Sequence, residues 1–450
     1  MNLHALIGFR SRRNNGVKPA RASRQTLALC RALLSERGEV SGLRRARECL
    51  LAWESLEGEE LEGFFHLLAQ EFSPDPEKVS LAADAYREDS SPANLASLIA
   101  AVEPLRQELF RRLNAAPGGT KVLVSMRKVL LQPDAHPQWA PIEADLEHLL
   151  TSWFNRGFLS LQRIDWRTSA IVLEKLIQYE AVHEIQGWHD LRRRLAADRR
   201  CYAFFHQALG DEPIIFVEVA LTRGISGEVQ PLLDAHSPVL DMRSANCAMF
   251  YSITHCQEGL RGIPFGDFLI KQVAEDLGKE LRQIRTFATV SPVPSFRAWL
   301  EAAVHTAKGS AAQTLADLNS RLAEPDWMKD KKTSELLKRE IEPLCAHYLL
   351  NATRGREPID PVARFHLRNG ARLERLNWLG DTSPTGLQRS AGMMVNYVYR
   401  LDDVERNHEL YMKDNRVAVS RDVAVLAKRS VLAQDSAQAK PRRQLRERAG

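Results

Sequence analysis

At 450 residues the chain exceeds what one hydrophobic core usually organises, so two domains are expected. Its apolar fraction of 44% and charged fraction of 26% exclude global disorder, and no apolar run approaches the about 20 residues that span a bilayer. The net charge of +5 is too mild to argue for nucleic acid, though it suits an anionic ligand.

In chain order, Met1 to Arg24 is basic and acid-free but lacks an apolar face. It is expected to be an N-terminal arm rather than a transit peptide. From Ser23 to about Phe154, nearly every segment reads as amphipathic helix. Leu61, Phe64, Phe65, Leu68 and Phe72 recur at helical spacing, as do Leu95, Leu98, Val102, Leu105, Leu109 and Leu113. Pro104 lies inside the second set and should kink or split that helix. Breaks are expected at Ser73-Pro74-Asp75-Pro76, Ser90-Ser91-Pro92 and Pro117-Gly118-Gly119. No catalytic constellation stands out in this half.

After about residue 150 the texture changes. Pro213 to Leu221, Ala248 to Ile253 and Thr286 to Val290 are dense in β-branched and aromatic residues, as buried strands are. Between the last two, Leu269, Ile270, Val273 and Leu277 form one helical face. Pro294 to Thr306, Thr314 to Leu322 and Thr333 to Asn351 read as helices. Ser383-Pro384 starts another, with Met393 to Tyr399 as its buried face. From Arg416 a helix followed by a basic, solvated tail is expected. Six cysteines (Cys30, Cys49, Cys201, Cys247, Cys256, Cys345) show no metal-ligand spacing, which favours a reducing compartment.

Chemistry is expected at three places. The first is the loop Glu258-Gly259-Leu260-Arg261-Gly262-Ile263-Pro264-Phe265-Gly266, which runs from a strand into a helix. Its glycines admit a ligand close to the backbone, and the following helix turns free N–H groups toward it, which suits a pyrophosphate. The spacing fits neither the Rossmann fingerprint nor the P-loop. It resembles the loop with which GNAT-type acetyltransferases hold coenzyme A. The second is Ser291, at a strand end before Pro292. The third is the segment Ala363 to Tyr399.

Phe365-His366-Leu367-Arg368-Asn369-Gly370-Ala371 and Leu376-Asn377-Trp378 closely resemble the catalytic segment of the malonyl-CoA decarboxylase family. The likeness continues upstream through Tyr251-Ser252-Ile253, Gly259-Leu260-Arg261-Gly262, Phe268-Leu269-Ile270-Lys271 and Ser291-Pro292-Val293-Pro294, and takes in Gly157-Phe158-Leu159 and Trp166. The motifs keep the family's order over about two thirds of the chain.

The resemblance implies an α+β protein. An N-terminal helical bundle over 1–150 supports oligomer formation, as a dimer or tetramer, and a GNAT-like mixed α/β catalytic domain covers 151–450. It implies decarboxylation of malonyl-CoA to acetyl-CoA without metal or prosthetic group, coenzyme A entering as part of the substrate. No nucleic-acid or membrane partner is expected. His366 would be proton donor, Ser291 its partner as proton acceptor and ligand of the malonyl group, and Tyr399 an active-site tyrosine that fixes the thioester. Arg261, Gly262, Ile263, Pro264, Phe265, Gly266 and Asp267 would bind the coenzyme A phosphates. Pro264 departs from relatives that carry a glutamate there, and it lacks one N–H. The alternative is a GNAT-type N-acyltransferase, which needs an acceptor groove for which no motif is found. Cytoplasm is the expected location, with mitochondria second.

Overall fold

The structure, a computed structural model, describes residues 20–265 and 269–435. Gly266 and Asp267 of the expected phosphate loop lie outside the described residues, as do most of the N-terminal arm and the basic tail.

The first part is helical: α1 (Arg21–Ser35), α2 (Glu39–Glu54), α3 (Gly58–Glu71), α4 (Pro76–Glu88), α5 (Pro92–Val102), α6 (Leu105–Asn114), α7 (Gly119–Leu130) and α8 (Ala140–Trp153). The boundaries follow the expected breaks. Asp75 caps α4 and Ser91 caps α5, each ahead of a proline in the first turn. Phe64, Phe65, Leu68, Leu109, Phe110 and Leu150 are buried, with Phe65 against Trp139 at 5.3 Å between ring centroids. The stripe from Leu95 to Leu113 does not bury as one surface. Pro104 divides it between α5 and α6, leaving Leu95 and Val102 41% and 45% exposed while Leu109 is fully covered.

The remainder mixes strands and helices. It begins with β1 (Leu159–Ile164), α9 (Ala170–Tyr179), α10 (Trp188–Arg194), β2 (Arg199–His206), β3 (Pro213–Thr222) and α11 (Gln230–Leu233). Then come β4 (Cys247–His255), α12 (Leu269–Glu280), β5 (Thr286–Thr289), β6 (Ser291–Pro292), α13 (Phe296–Thr306), α14 (Gly309–Ala323) and α15 (Lys331–Asn351). It closes with β7 (Thr353–Arg354), β8 (Glu357–Pro358), α16 (Pro361–Arg368), β9 (Arg372–Asn377), α17 (Pro384–Ser390), β10 (Met394–Tyr399), α18 (Val404–Asp414) and α19 (Arg421–Arg429).

The main sheet runs β1-β2-β3-β4-β5-β10-β6, and β9 also pairs with β10. β4 and β5 are parallel, with Phe250 opposite Thr289, so their connection is a crossover through the loop and α12. β10 is antiparallel to β5, β6 and β9. The helix expected to bury Met393 to Tyr399 is therefore corrected. Ser383 does cap α17, but that helix ends at Ser390, and Ala391 in the left-handed conformation leads into a strand buried along its whole length. A strand covered on both faces carries no alternation to distinguish it from a buried helix.

By their contacts the residues form two compact units. The first holds the described residues up to Ser160 together with Phe204–Ile214 and His255–Phe265. The second holds Leu161–Ala203, Ile215–Thr254 and the described residues beyond 268. The residues Arg261 to Phe265, expected to bind phosphate, belong by contact with the helices.

Candidate active site

α16 is set by local signals at both ends. The Asp360 side chain accepts from the Ala363 N–H at 2.8 Å and Pro361 occupies the first turn. At the other end Gly370 (φ +76°) donates to the Leu367 carbonyl and Ala371 to the His366 carbonyl, both at 3.0 Å. This is a Schellman closure, and it explains the glycine in Phe365-His366-Leu367-Arg368-Asn369-Gly370-Ala371. A Cβ at Gly370 would meet the Val404 carbonyl oxygen at 2.1 Å, so no other residue fits. His366 is thereby fixed in the last turn of a short helix.

Ser291 lies in β6 at the edge of the sheet, where Pro292 costs no ladder bond. β10 brings its own residues from the other side, with Val395 opposite Ser291 and Tyr399 opposite Phe287.

These elements bring the three expected catalytic residues together. His366 Nε2 is 3.0 Å from Ser291 Oγ, and His366 Nδ1 is 2.7 Å from the Tyr399 hydroxyl. Ser291 in turn donates to Thr289 Oγ1 at 2.9 Å, and that oxygen also accepts the Tyr397 N–H at 3.1 Å. With its own hydrogen given to Thr289, Ser291 accepts from His366, which places the imidazole proton on Nε2. Nδ1 then accepts from Tyr399. Tyr397 covers the ring face, with centroids 4.5 Å apart and planes 24° apart.

The site is dry. His366 is 2% exposed, Ser291 5% and Tyr399 1%. Burial lowers the His366 pKa to about 3, so the ring is neutral near pH 7, and it raises both tyrosines well above their ordinary value. The array is a line of neutral donors and acceptors, able to orient toward a developing oxyanion and to pass a proton along the ring.

Thr289, Tyr397 and Asp360 are not among the expected site residues. Tyr397 sits two positions before Tyr399 on β10, hence on the same strand face, and Thr289 ends β5 two positions before Ser291; that spacing is the available signal. Asp360-Pro361 is a helix start of the same kind as Ser383-Pro384.

Of the residues expected to bind the phosphates, Arg261 to Phe265 are among the described residues. In the first unit, Gly262 adopts φ +85°, a conformation open to glycine. A Cβ on Gly259 would meet the Val124 carbonyl oxygen at 1.9 Å, so the loop lies directly against α7. The Arg261 guanidinium donates to the Leu131 carbonyl at 2.8 Å, while Ile263 and Phe265 are buried. Among the described residues no group of three His, Cys, Asp or Glu is placed to hold a metal, and no helix is long and apolar enough to cross a membrane.

Comparison with known proteins gives a consistent picture. Residues 157–440 match the family described as malonyl-CoA decarboxylase C-terminal domain, and residues 72–154 match its N-terminal domain. A mitochondrial malonyl-CoA decarboxylase of Anser anser anser is 36% identical over 349 residues, which is 71% of this chain and 69% of that one. The Mus musculus protein is 33% identical over 353 residues, 72% of each chain. Among solved structures, a malonyl-CoA decarboxylase from Rhodopseudomonas palustris superposes with a TM-score of 0.86 at 48% identity, covering 89% of this chain and 98% of that one. One from Agrobacterium vitis gives 0.84 at 47% identity, covering 90% and 99%.

Proposed function

The chain belongs to the malonyl-CoA decarboxylase family, and on that premise we propose that it converts malonyl-CoA to acetyl-CoA and carbon dioxide at Ser291, His366 and Tyr399. The observation that carries the assignment of residues is the buried imidazole with hydroxyls on both nitrogens, Ser291 at 3.0 Å and Tyr399 at 2.7 Å.

Loss of carbon dioxide from a malonyl thioester moves an electron pair onto C2 and the thioester oxygen. The catalyst must meet that charge and then protonate C2. One well-placed oxyanion donor is worth roughly 3 kcal/mol, and the Ser291 and Tyr399 hydroxyls become donors of that kind when they turn from Thr289 and Nδ1, which no longer accepts once the ring is charged, to the thioester oxygen. His366 delivers the proton. In the free protein burial keeps its pKa near 3. A malonyl carboxylate entering beside the ring offsets that desolvation and favours the imidazolium, so substrate itself charges the acid. As the carboxylate leaves as neutral carbon dioxide, the same burial pushes the proton off the ring and onto C2. One proton per turnover is drawn from solvent. Tyr397, stacked on the ring, supports the transient cation through its π face.

In this reading no metal takes part, and coenzyme A is present only as the carrier of the malonyl group. The loop Arg261 to Asp267 holds its phosphates, with Gly262 supplying the turn. The helical unit supports a homo-oligomer, and the protein works in the cytoplasm. The test is purified protein with malonyl-CoA and no amine. Acetyl-CoA and carbon dioxide in equal amounts are expected, whereas coenzyme A released only on addition of an amine acceptor would favour acyl transfer.

A further inference from the structure

We propose that Arg127, on α7 of the helical part, positions the coenzyme A loop by holding its carbonyls so that the Gly262 N–H faces the phosphates. The proposal rests on reading that loop as the phosphate anchor.

Arg127 is 2% exposed, an unusual position for a guanidinium. Its charge is met by Glu143, whose carboxylate lies 3.0 Å from Nε and 2.8 Å from Nη2. The other donors are spent on the loop, with Nη1 2.9 Å from the Gly259 carbonyl and 2.8 Å from the Arg261 carbonyl. In a trans peptide the C=O and the next N–H point in opposite directions. Drawing the Arg261 carbonyl onto Arg127 therefore turns the Gly262 N–H away from the helix. The neighbouring N–H groups are used inside the loop, Leu260 on Gln257 (2.9 Å), Arg261 on Glu258 (3.0 Å) and Ile263 on Leu260 (3.1 Å). Gly262 N–H bonds to none of the described residues. A cation on the carbonyl side also polarises that peptide and makes its N–H a better donor to an anion.

The packing admits little play. Gly259 sits so close to Val124 that its missing Cβ is required, and Arg261 adds its own bond to the Leu131 carbonyl. Lys128 pairs with Glu258 at 3.0 Å, but both are more than half exposed and contribute little. Arg127 is the one cation in this set that is both buried and bonded to the loop backbone. It contacts no substrate itself and is a positioning residue.

The discriminating experiment compares malonyl-CoA with malonyl-pantetheine, which lacks the diphosphate. Arg127→Lys keeps the charge against Glu143 but loses the fork. It should raise KM for malonyl-CoA about tenfold or more, leaving kcat within about twofold and kcat/KM for malonyl-pantetheine unchanged. An equal loss on both substrates, or no loss on either, overturns the proposal. Gly262→Trp serves as the reference. If it leaves KM for malonyl-CoA unchanged, the loop is not the phosphate anchor and the underlying reading fails. If it raises KM while Arg127→Lys does not, only the role of Arg127 fails. Should the arginine variant not fold, amide exchange on the wild-type protein decides. Coenzyme A must slow exchange at Gly262, and an unchanged rate there rejects the proposal.

Discussion

Tyr397 lies face to face with His366 at 4.5 Å, its ring tilted only 24° from the imidazole plane. Two residues further along the same strand, Tyr399 meets that imidazole at its edge through a 2.7 Å hydrogen bond. One strand thus supplies both the cover of the ring and the donor to Nδ1, and the two contributions separate by mutation. Tyr399→Phe leaves a buried nitrogen without its donor, a loss of about 1–3 kcal/mol, so kcat should fall roughly tenfold to a hundredfold. Tyr397→Phe, which keeps the aromatic face, should retain most activity, and Tyr397→Leu should not. Steady-state rates on malonyl-CoA check all three. A Tyr397→Leu variant with unaltered kcat would remove the π face from the account.

Ser291 and His366 share one hydrogen bond, so their effects should not add. Ser291→Ala and His366→Ala are each expected to lower kcat strongly, and the double variant should be little worse than the weaker single one. Additive losses would mean that the two act separately.

The buried imidazole also makes a stability prediction. Its folded pKa, about 3, lies below the ordinary value of 6.5. A neutral buried ring contributes stability that is present above pH 6.5 and is lost as pH falls toward 3, because the unfolded chain binds the proton more readily. Melting temperatures of wild type and His366→Asn, followed from pH 8 to pH 4, should therefore converge on the acid side. Parallel curves would deny the depressed pKa.

Asp360 titrates in the opposite sense. Burial is the main cause that raises its pKa from 3.8 to about 6, against the Ala363 N–H and Tyr348 hydroxyl that favour the charged form. Its contribution is fully present below pH 3.8 and is lost as pH rises through about 6. Asp360→Asn keeps a capping oxygen for α16 and carries no charge. Relative to wild type it should be more stable at pH 8 than at pH 4.5, by about 2 kcal/mol. Chemical denaturation at the two pH values measures this, and an unchanged difference would contradict it.

Much of this arrangement was legible in the sequence because it is local. The β-branched runs at 213–221 and 286–290 form β3 and β5, and the glycine loop between β4 and α12 falls where the pattern sets it. Ser291, His366 and Tyr399 were found through the family motif, and their mutual contact follows from strand pairing that no single motif encodes. β10 was misread because Met394, Val395, Tyr397 and Val398 are buried together, which removes the alternation that identifies a strand. Arg127 was invisible for a different reason. Its partners lie 132 and 134 residues away, and an arginine on an amphipathic helix reads as surface until its contacts are known.

The absence of a metal from the chemistry is a further expectation. Activity after exhaustive treatment with a chelator should equal that of untreated protein, and restoration by a divalent cation would contradict the hydroxyl-and-imidazole account.

The most direct test is acetyl-CoA formation by His366→Gln at saturating malonyl-CoA, measured together with its affinity for coenzyme A. The rate should drop by ~10²–10⁴-fold while the affinity stays at the wild-type value. A glutamine variant that decarboxylates as fast as the parent would show that the proton reaches C2 from elsewhere.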